Sequence, residues 1–154
     1  MKTTNKTAES TAKAMAKGCH LDHYVVTSIV IILAFIRVPR VEELPAHVWL
    51  QFLCDARVRD QDERTYLSSE PKARADLAGR FHALIGQEVQ DIFIAPNNTL
   101  SIQLESTSFD LIPCRDGSEI EWQMASNYPD PFNGSEWLVV ADGGGDIAAR
   151  AGLR

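Results

Sequence analysis

The sequence predicts an α+β domain: an antiparallel β-meander sheet with two helices packed on one face. Three observations carry that expectation. Residues 88–124 alternate apolar and polar positions in short stretches separated by turn residues. Such period-two patterning marks strands with one buried and one wet face. Two stretches before it, residues 45–57 and 70–85, show three- and four-residue apolar spacing, the period of an amphipathic helix. Helices segregated ahead of a run of strands favour α+β over a doubly wound sheet.

With 154 residues, the chain has the length of one domain. We divide it into a tail over residues 1–20 and a single domain over 21–154. Residues 1–18 are rich in Ala, Thr and Lys with almost no large apolar residue besides Met15, which reads as a mobile tail or a frayed helix. Residues 24–36, YVVTSIVIILAFI, are continuously apolar apart from Thr27 and Ser28. The run is short for a membrane-spanning helix, which needs about 20 residues. Its β-branched residues suit a buried strand; a buried helix and a membrane anchor are the other readings. Pro39 ends the element.

Within residues 45–57, Pro45 fits a first helical turn. Val48 and Phe52 form one set of apolar residues at helical spacing, and Trp49, Leu53 and Ala56 another. Residues 58–68 read as a charged linker. For residues 70–85, Ser69 is the expected N-cap, Pro71 suits the first turn and Gly86 the stop. Ala73, Leu77, Phe81, Leu84 and Ile85 line its apolar side.

The β-rich part spans residues 86–150. Val89 and Ile92–Ile94 form a first strand. Leu100, Ile102 and Leu104 mark a second, Phe109 and Leu111 a third, and Ile120, Trp122 and Met124 a fourth. Pro96-Asn97-Asn98 and Asp116-Gly117 are turn signals, and links this short imply antiparallel neighbours. After the loop at 128–134, Trp137–Ala141 and Asp146–Arg150 read as two more strands around a Gly143-Gly144-Gly145 turn.

Charge is distributed unevenly. Residues 1–85 hold 12 Lys or Arg against 10 Asp or Glu, whereas residues 86–154 hold 3 against 11. An acidic β-rich half disfavours nucleic acid, whose phosphates demand Lys and Arg, and suits a basic protein partner. The wet face of the meander is expected to carry Glu105, Asp110, Glu119 and Glu121. With Trp137 and Asp142 they form the candidate partner-binding set.

No motif adds catalytic, cofactor or metal chemistry, and the reading leans away from an enzyme. Gly143-Gly144-Gly145 lacks the Lys-Ser/Thr of a phosphate loop, and its flanking Asp142 and Asp146 repel phosphate. Cys19, His20 and His23 have no fourth ligand at recognisable spacing. His47 and His82 sit on the expected helices without an identifiable nucleophile beside them. Glu119 and Glu121, joined by Glu105 and Asp110, remain the carboxylates an enzyme would use. Three widely spaced cysteines (Cys19, Cys54, Cys114) do not form a disulfide framework, which points to a reducing compartment. The expected location is cytoplasmic, with an inner-membrane anchor through residues 24–36 as the alternative.

Gly86 with Val89, Glu121 with Trp122, and Gly144-Gly145-Asp146-Ile147-Ala148 carry a resemblance. Over residues 84–150 the chain resembles a family of small uncharacterised bacterial β-rich domains of immunity-protein-like character. Glu121 and Trp122 are adjacent here, where that family often has one residue between. The resemblance implies a small bacterial accessory protein. The leading expectation is therefore a non-enzymatic interaction domain, in one form an immunity-type inhibitor covering a basic surface with its acidic sheet.

Overall fold

The computed structural model describes residues 3–59, 63–114, 119–126 and 136–152. In chain order the elements are α1 (Asn5–Ala16), β1 (His20–Val26), β2 (Ile31–Ile36), β3 (His47–Phe52), β4 (Asp55–Arg59), β5 (Arg64–Tyr66), α2 (Pro71–Ala83), β6 (Asp91–Ile94), β7 (Leu100–Gln103), β8 (Ser108–Ile112), β9 (Ile120–Ala125), β10 (Trp137–Asp142) and β11 (Ile147–Ala151). The α+β class with antiparallel pairing holds. The strands form two sheets, of order β1-β2-β3-β9-β10-β11 (sheet A) and β5-β4-β8-β7-β6 (sheet B).

One apolar core lies between the sheets. In sheet A the row Leu33, Leu50, Met124, Val139 runs across four strands, beside Ile31, Phe52, Trp122, Ala141. In sheet B the matching rows are Ala56, Leu111, Leu100, Ile94 and Val58, Phe109, Ile102, Ile92. All belong to a single buried cluster with Ala8, Ala12 and Met15 of α1 and Ala73, Leu77 and Phe81 of α2. Each helix touches both sheets: α1 packs on β6, β10 and β11, and α2 on β1 and β5.

Of the two readings of the N-terminal stretch, mobile tail or frayed helix, the structure has a helix, α1, and it is capped and packed rather than frayed. Thr4 caps it, its hydroxyl accepting from the Thr7 N–H at 3.2 Å. The buried residues Ala8, Thr11, Ala12, Met15 and Ala16 fall at helical spacing. Apart from Met15 the stripe is made of small residues, so it lets the helix axis approach the sheets closely and leaves little hydropathic trace in the sequence. Arg37, at the end of β2, ties the other end of α1 down. Its guanidinium donates to the carbonyls of Met15 (2.6 Å), Lys17 (3.2 Å), Ala14 (3.5 Å) and Pro45 (3.1 Å). A cation there satisfies orphan C-terminal carbonyls and opposes the negative end of the helix dipole.

The apolar run at 24–36 folds as the β1–β2 hairpin, not as one element. Thr27 closes the turn: its hydroxyl accepts from the N–H groups of Ile29 (3.2 Å) and Val30 (2.9 Å), and its own N–H reaches the Val30 carbonyl. Arg74 of α2 holds that turn through the carbonyls of Thr27 and Ser28, at 2.6 and 3.0 Å. Among the described residues no helix is long and apolar enough to cross a membrane.

Residues 45–57 are not a helix. They hold β3 and the start of β4, with Val48, Leu50 and Phe52 buried in alternation. The spacing of four between Val48 and Phe52 fits both the strand and the helix period, which is why it misleads. The expected linker at 58–68 contains the end of β4 and all of β5. Helix α2 falls where expected, with Pro71 in its first turn. Glu70 rather than Ser69 occupies the N-cap, without a side-chain cap bond. Gly86 takes φ +94° beyond the helix, a left-handed conformation that favours glycine.

The expected four-strand meander is a three-strand one, β6-β7-β8. Its first turn is as read: Asn98 adopts φ +67°. The buried Asn98 accepts at its carbonyl from Trp122 Nε1–H (2.8 Å) and at Oδ1 from Asn5 Nδ2–H (2.8 Å). The Asp116-Gly117 turn lies outside the described residues, but β8 and β9 do not pair: β9 sits in the middle of sheet A between β3 and β10. Trp122, Met124, Glu121, Gln123 and Ala125 are all buried there, covering both faces of the strand. A strand buried on two sides belongs inside the larger sheet rather than at the edge of a meander.

Arg37→Met keeps much of the side-chain volume and removes every donor. We expect it to lower unfolding stability by about 2–4 kcal/mol, since several helix-end carbonyls lose a charged partner. The check is the denaturant midpoint at unchanged m-value; a loss below about 0.5 kcal/mol would show that solvent replaces the cap.

Candidate interaction face

Residues that alternate with the core on sheet B form its outer face. Register places Thr65, Arg57, Asp110, Ser101 and Phe93 in one row across all five strands, and Arg59, Ser108, Gln103 and Asp91 in the next. At the centre is Asp110, whose side chain is 1% exposed. Its Oδ2 accepts from Arg57 Nε–H (3.0 Å), Arg57 Nη2–H (2.9 Å) and Arg59 Nε–H (2.7 Å). Its Oδ1 accepts from the Ser101 hydroxyl at 2.7 Å.

Burial pushes the Asp110 carboxyl up, but the bonds from Ser101, Arg57 and Arg59 outweigh it and hold the group below its ordinary value. It is the reverse of the raised carboxyl a general acid needs. Two guanidiniums around one carboxylate leave one net positive charge. The arginine side chains stay 32% and 48% exposed, so their remaining N–H groups reach the surface as donors. Beside them runs a cleft of about 380 Å³ lined by Arg59, Phe93, Ser101, Gln103, Glu105 and Asp110 among others. Phe93 is 47% exposed, with Lys13 Nζ 5.1 Å from its ring centroid.

The six candidate partner-binding residues do not share one acidic face. Glu105 is exposed at the β7–β8 turn, where its carboxylate accepts from the Glu88 N–H at 2.7 Å. Asp110 lies under the two arginines. Glu119 is exposed just before β9. Glu121 is buried and works inside the fold: its Oε1 accepts from the Cys114 N–H (2.7 Å) and its carbonyl from the Leu53 N–H (3.0 Å). It thereby fastens two places where the chain passes from one sheet to the other. Asp142 caps its own turn, Oδ1 accepting from the N–H groups of Gly144 and Asp146, both at 2.9 Å. Trp137 is half-buried against the core and near Gly152.

The other candidates separate as well. Cys19 is buried, its thiol donating to the Met15 carbonyl at 3.7 Å. His23 pairs with Asp22 at 2.7 Å and lies edge-on to Trp49. His82 faces Tyr24, while Cys114 faces Ser68. Burial, then the nearby Glu121, pushes the Cys54 thiol far above its ordinary value. Among the described residues no group of three or more His, Cys, Asp or Glu is arranged to hold a metal ion.

Arg57, Arg59, Ser101 and Phe93 were not expected as site residues. The usable signal was Arg57-Val58-Arg59, whose spacing of two puts both arginines on one side of a strand. It is visible only once residues 55–59 are read as a strand. Comparisons of the chain with protein-family models, curated proteins and solved structures return no match.

Asp110 gives a pH-dependent prediction. A carboxyl held low in the fold stabilises it fully above the unfolded-state value of about 3.9, and the benefit fades as pH falls below that. We therefore expect Asp110→Asn to be less stable than wild type by about 2 kcal/mol at pH 7, since it breaks a buried pair whose partners are partly solvated. The gap should narrow below about pH 4. Denaturant titrations of both proteins at pH 7 and pH 3 check this; a gap of equal size at both values would refute it.

Proposed function

We propose that the chain is a protein-interaction domain that docks its partner on the outer face of sheet B. The observation that carries this reading is the exposed Phe93 on the same face as two arginines held by a buried carboxylate, Arg57 in its own row and Arg59 in the next. Aromatic residues and arginine dominate the energetic centres of protein interfaces. Arginines already fixed by Asp110 lose less freedom on binding than free ones do. The covered sheet edges support the same face. Gly86–Val89 hydrogen-bonds along β1, Thr3 along β11, and Glu9 takes the Ile94 N–H of β6 at 2.8 Å. Addition of a partner strand to an edge is thus less accessible than approach to the face. The donors on this face favour an acidic partner surface over the basic one that the charge of the C-terminal half suggests.

The test is site-specific photocrosslinking in the cell that makes the protein. A benzoyl-phenylalanine replaces Phe93, and in a control it replaces Lys72 on the exposed side of α2. A discrete protein adduct from position 93, lost on adding Arg59→Glu, is the expected result. No adduct, or the same adducts from both positions, would defeat the proposal.

A further inference from the structure

Resting on that docking face, we infer that its ligand is a carboxylate side chain in an extended acidic peptide segment, seated on the Arg57–Arg59 pair with an apolar residue on Phe93. Every oxygen of Asp110 is occupied within the cluster, so what the arginines present outward is donors alone. Arginine N–H groups in a plane match a carboxylate well. Charge selects among oxyanions. The cluster of Arg57, Arg59 and Asp110 carries one net positive charge, which one carboxylate neutralises. A phosphate, with nearly two negative charges, would leave an excess facing Glu105 at the cleft. The side chains of Gln103 and Ser108 in the same cleft wall suit the polar backbone of a peptide crossing it.

Register fixes the spacing of the two anchor points. From Arg57 on β4 to Phe93 on β6 the row crosses β8 and β7. Three interstrand steps of about 4.8 Å make about 14 Å. An extended chain covers that in about four residues at roughly 3.3 Å each. The segment that fits carries an acidic residue four positions from an apolar one.

The probe is the blocked pentapeptide Glu-Ser-Ser-Ser-Leu, titrated into the ¹⁵N-labelled full chain. The Nε–H signals of the two arginines and the Phe93 ring signals are followed by NMR. We expect saturable shifts at both anchor points. Affinity should fall at least tenfold when the peptide's Glu is replaced by Gln, and as much in Arg59→Gln. Glu105→Gln should strengthen binding two- to fivefold, and this variant leaves the Asp110 cluster intact, so it reads the site even where Arg59→Gln perturbs the fold. Equal binding of the Glu and Gln peptides, no binding of either, or tighter binding of inorganic phosphate would each overturn the inference. A failed titration with a persisting Phe93 crosslink removes the carboxylate assignment and leaves the docking face. Failure of both removes both.

Discussion

Two open antiparallel sheets packed face to face have edges, and an uncovered edge offers unpaired N–H and C=O groups to any other chain. Covering them is the constraint on which the rest of this structure depends. Helix α2 lies along β1 and β5, one edge of each sheet, and α1 lies along β11 and β6, the other two. Both helices therefore contact both sheets, and neither is a layer on a single face. Side chains finish what the helices begin. Glu9 takes an edge N–H of β6, and the Thr3 hydroxyl takes that of Ala149 on β11 at 3.1 Å. Arg37 then fixes the end of α1, so one buried cation secures the cover of two edges.

That constraint explains which parts of the fold were legible. The helix at 70–85 and the Asn98 turn carry their signals locally: proline at a first turn, a left-handed glycine, an asparagine at positive φ. The strands around Leu100, Ile102 and Phe109 alternate because their outer face is wet. The helix in residues 5–16 was legible only as a frayed one, because its buried stripe is four small residues and Met15, pressed close to two sheets. Residues 24–36 concealed a turn because Thr27 makes it amid apolar residues, of which those in β2 are buried on both faces while Val25, Val26 and Ile29 stay exposed. The assignment of Ile120–Met124 as a strand was right. Its sheet was not legible, since nothing local distinguishes a hairpin partner of β8 from the centre of another sheet.

Charge was misread for a related reason. Along the sequence the basic and acidic residues separate into halves. Sheet B interleaves those halves, setting β4 of the first beside β8 of the second. Asp110, expected on a wet acidic face, meets Arg57 and Arg59 from more than 50 positions earlier. Its alternation with Phe109 and Leu111 placed it on the correct side of the strand. Only the neighbouring strand decides whether that side is acidic. Glu121 shows the complementary failure: its spacing from Glu119 implied a shared face, but its carboxylate is used to hold the passage of the chain between sheets.

The Asp110 cluster fixes positions as well as stabilising the fold. A carboxylate taken out of water costs several kcal/mol, and here the bonds from Ser101, Arg57 and Arg59 outweigh that cost and hold the carboxyl below its ordinary value. A sheet face open to water can hold its strands with threonine and valine and needs no buried charge. What the cluster gains is position. Without Asp110, two arginines two residues apart on one strand would repel and spread into solvent. With it, both guanidiniums are held within hydrogen-bonding distance of one oxygen atom, and Ser101 fixes the other oxygen from the next strand. The geometry keeps two cations together on an exposed surface, and that arrangement is the feature on which the proposed docking face rests.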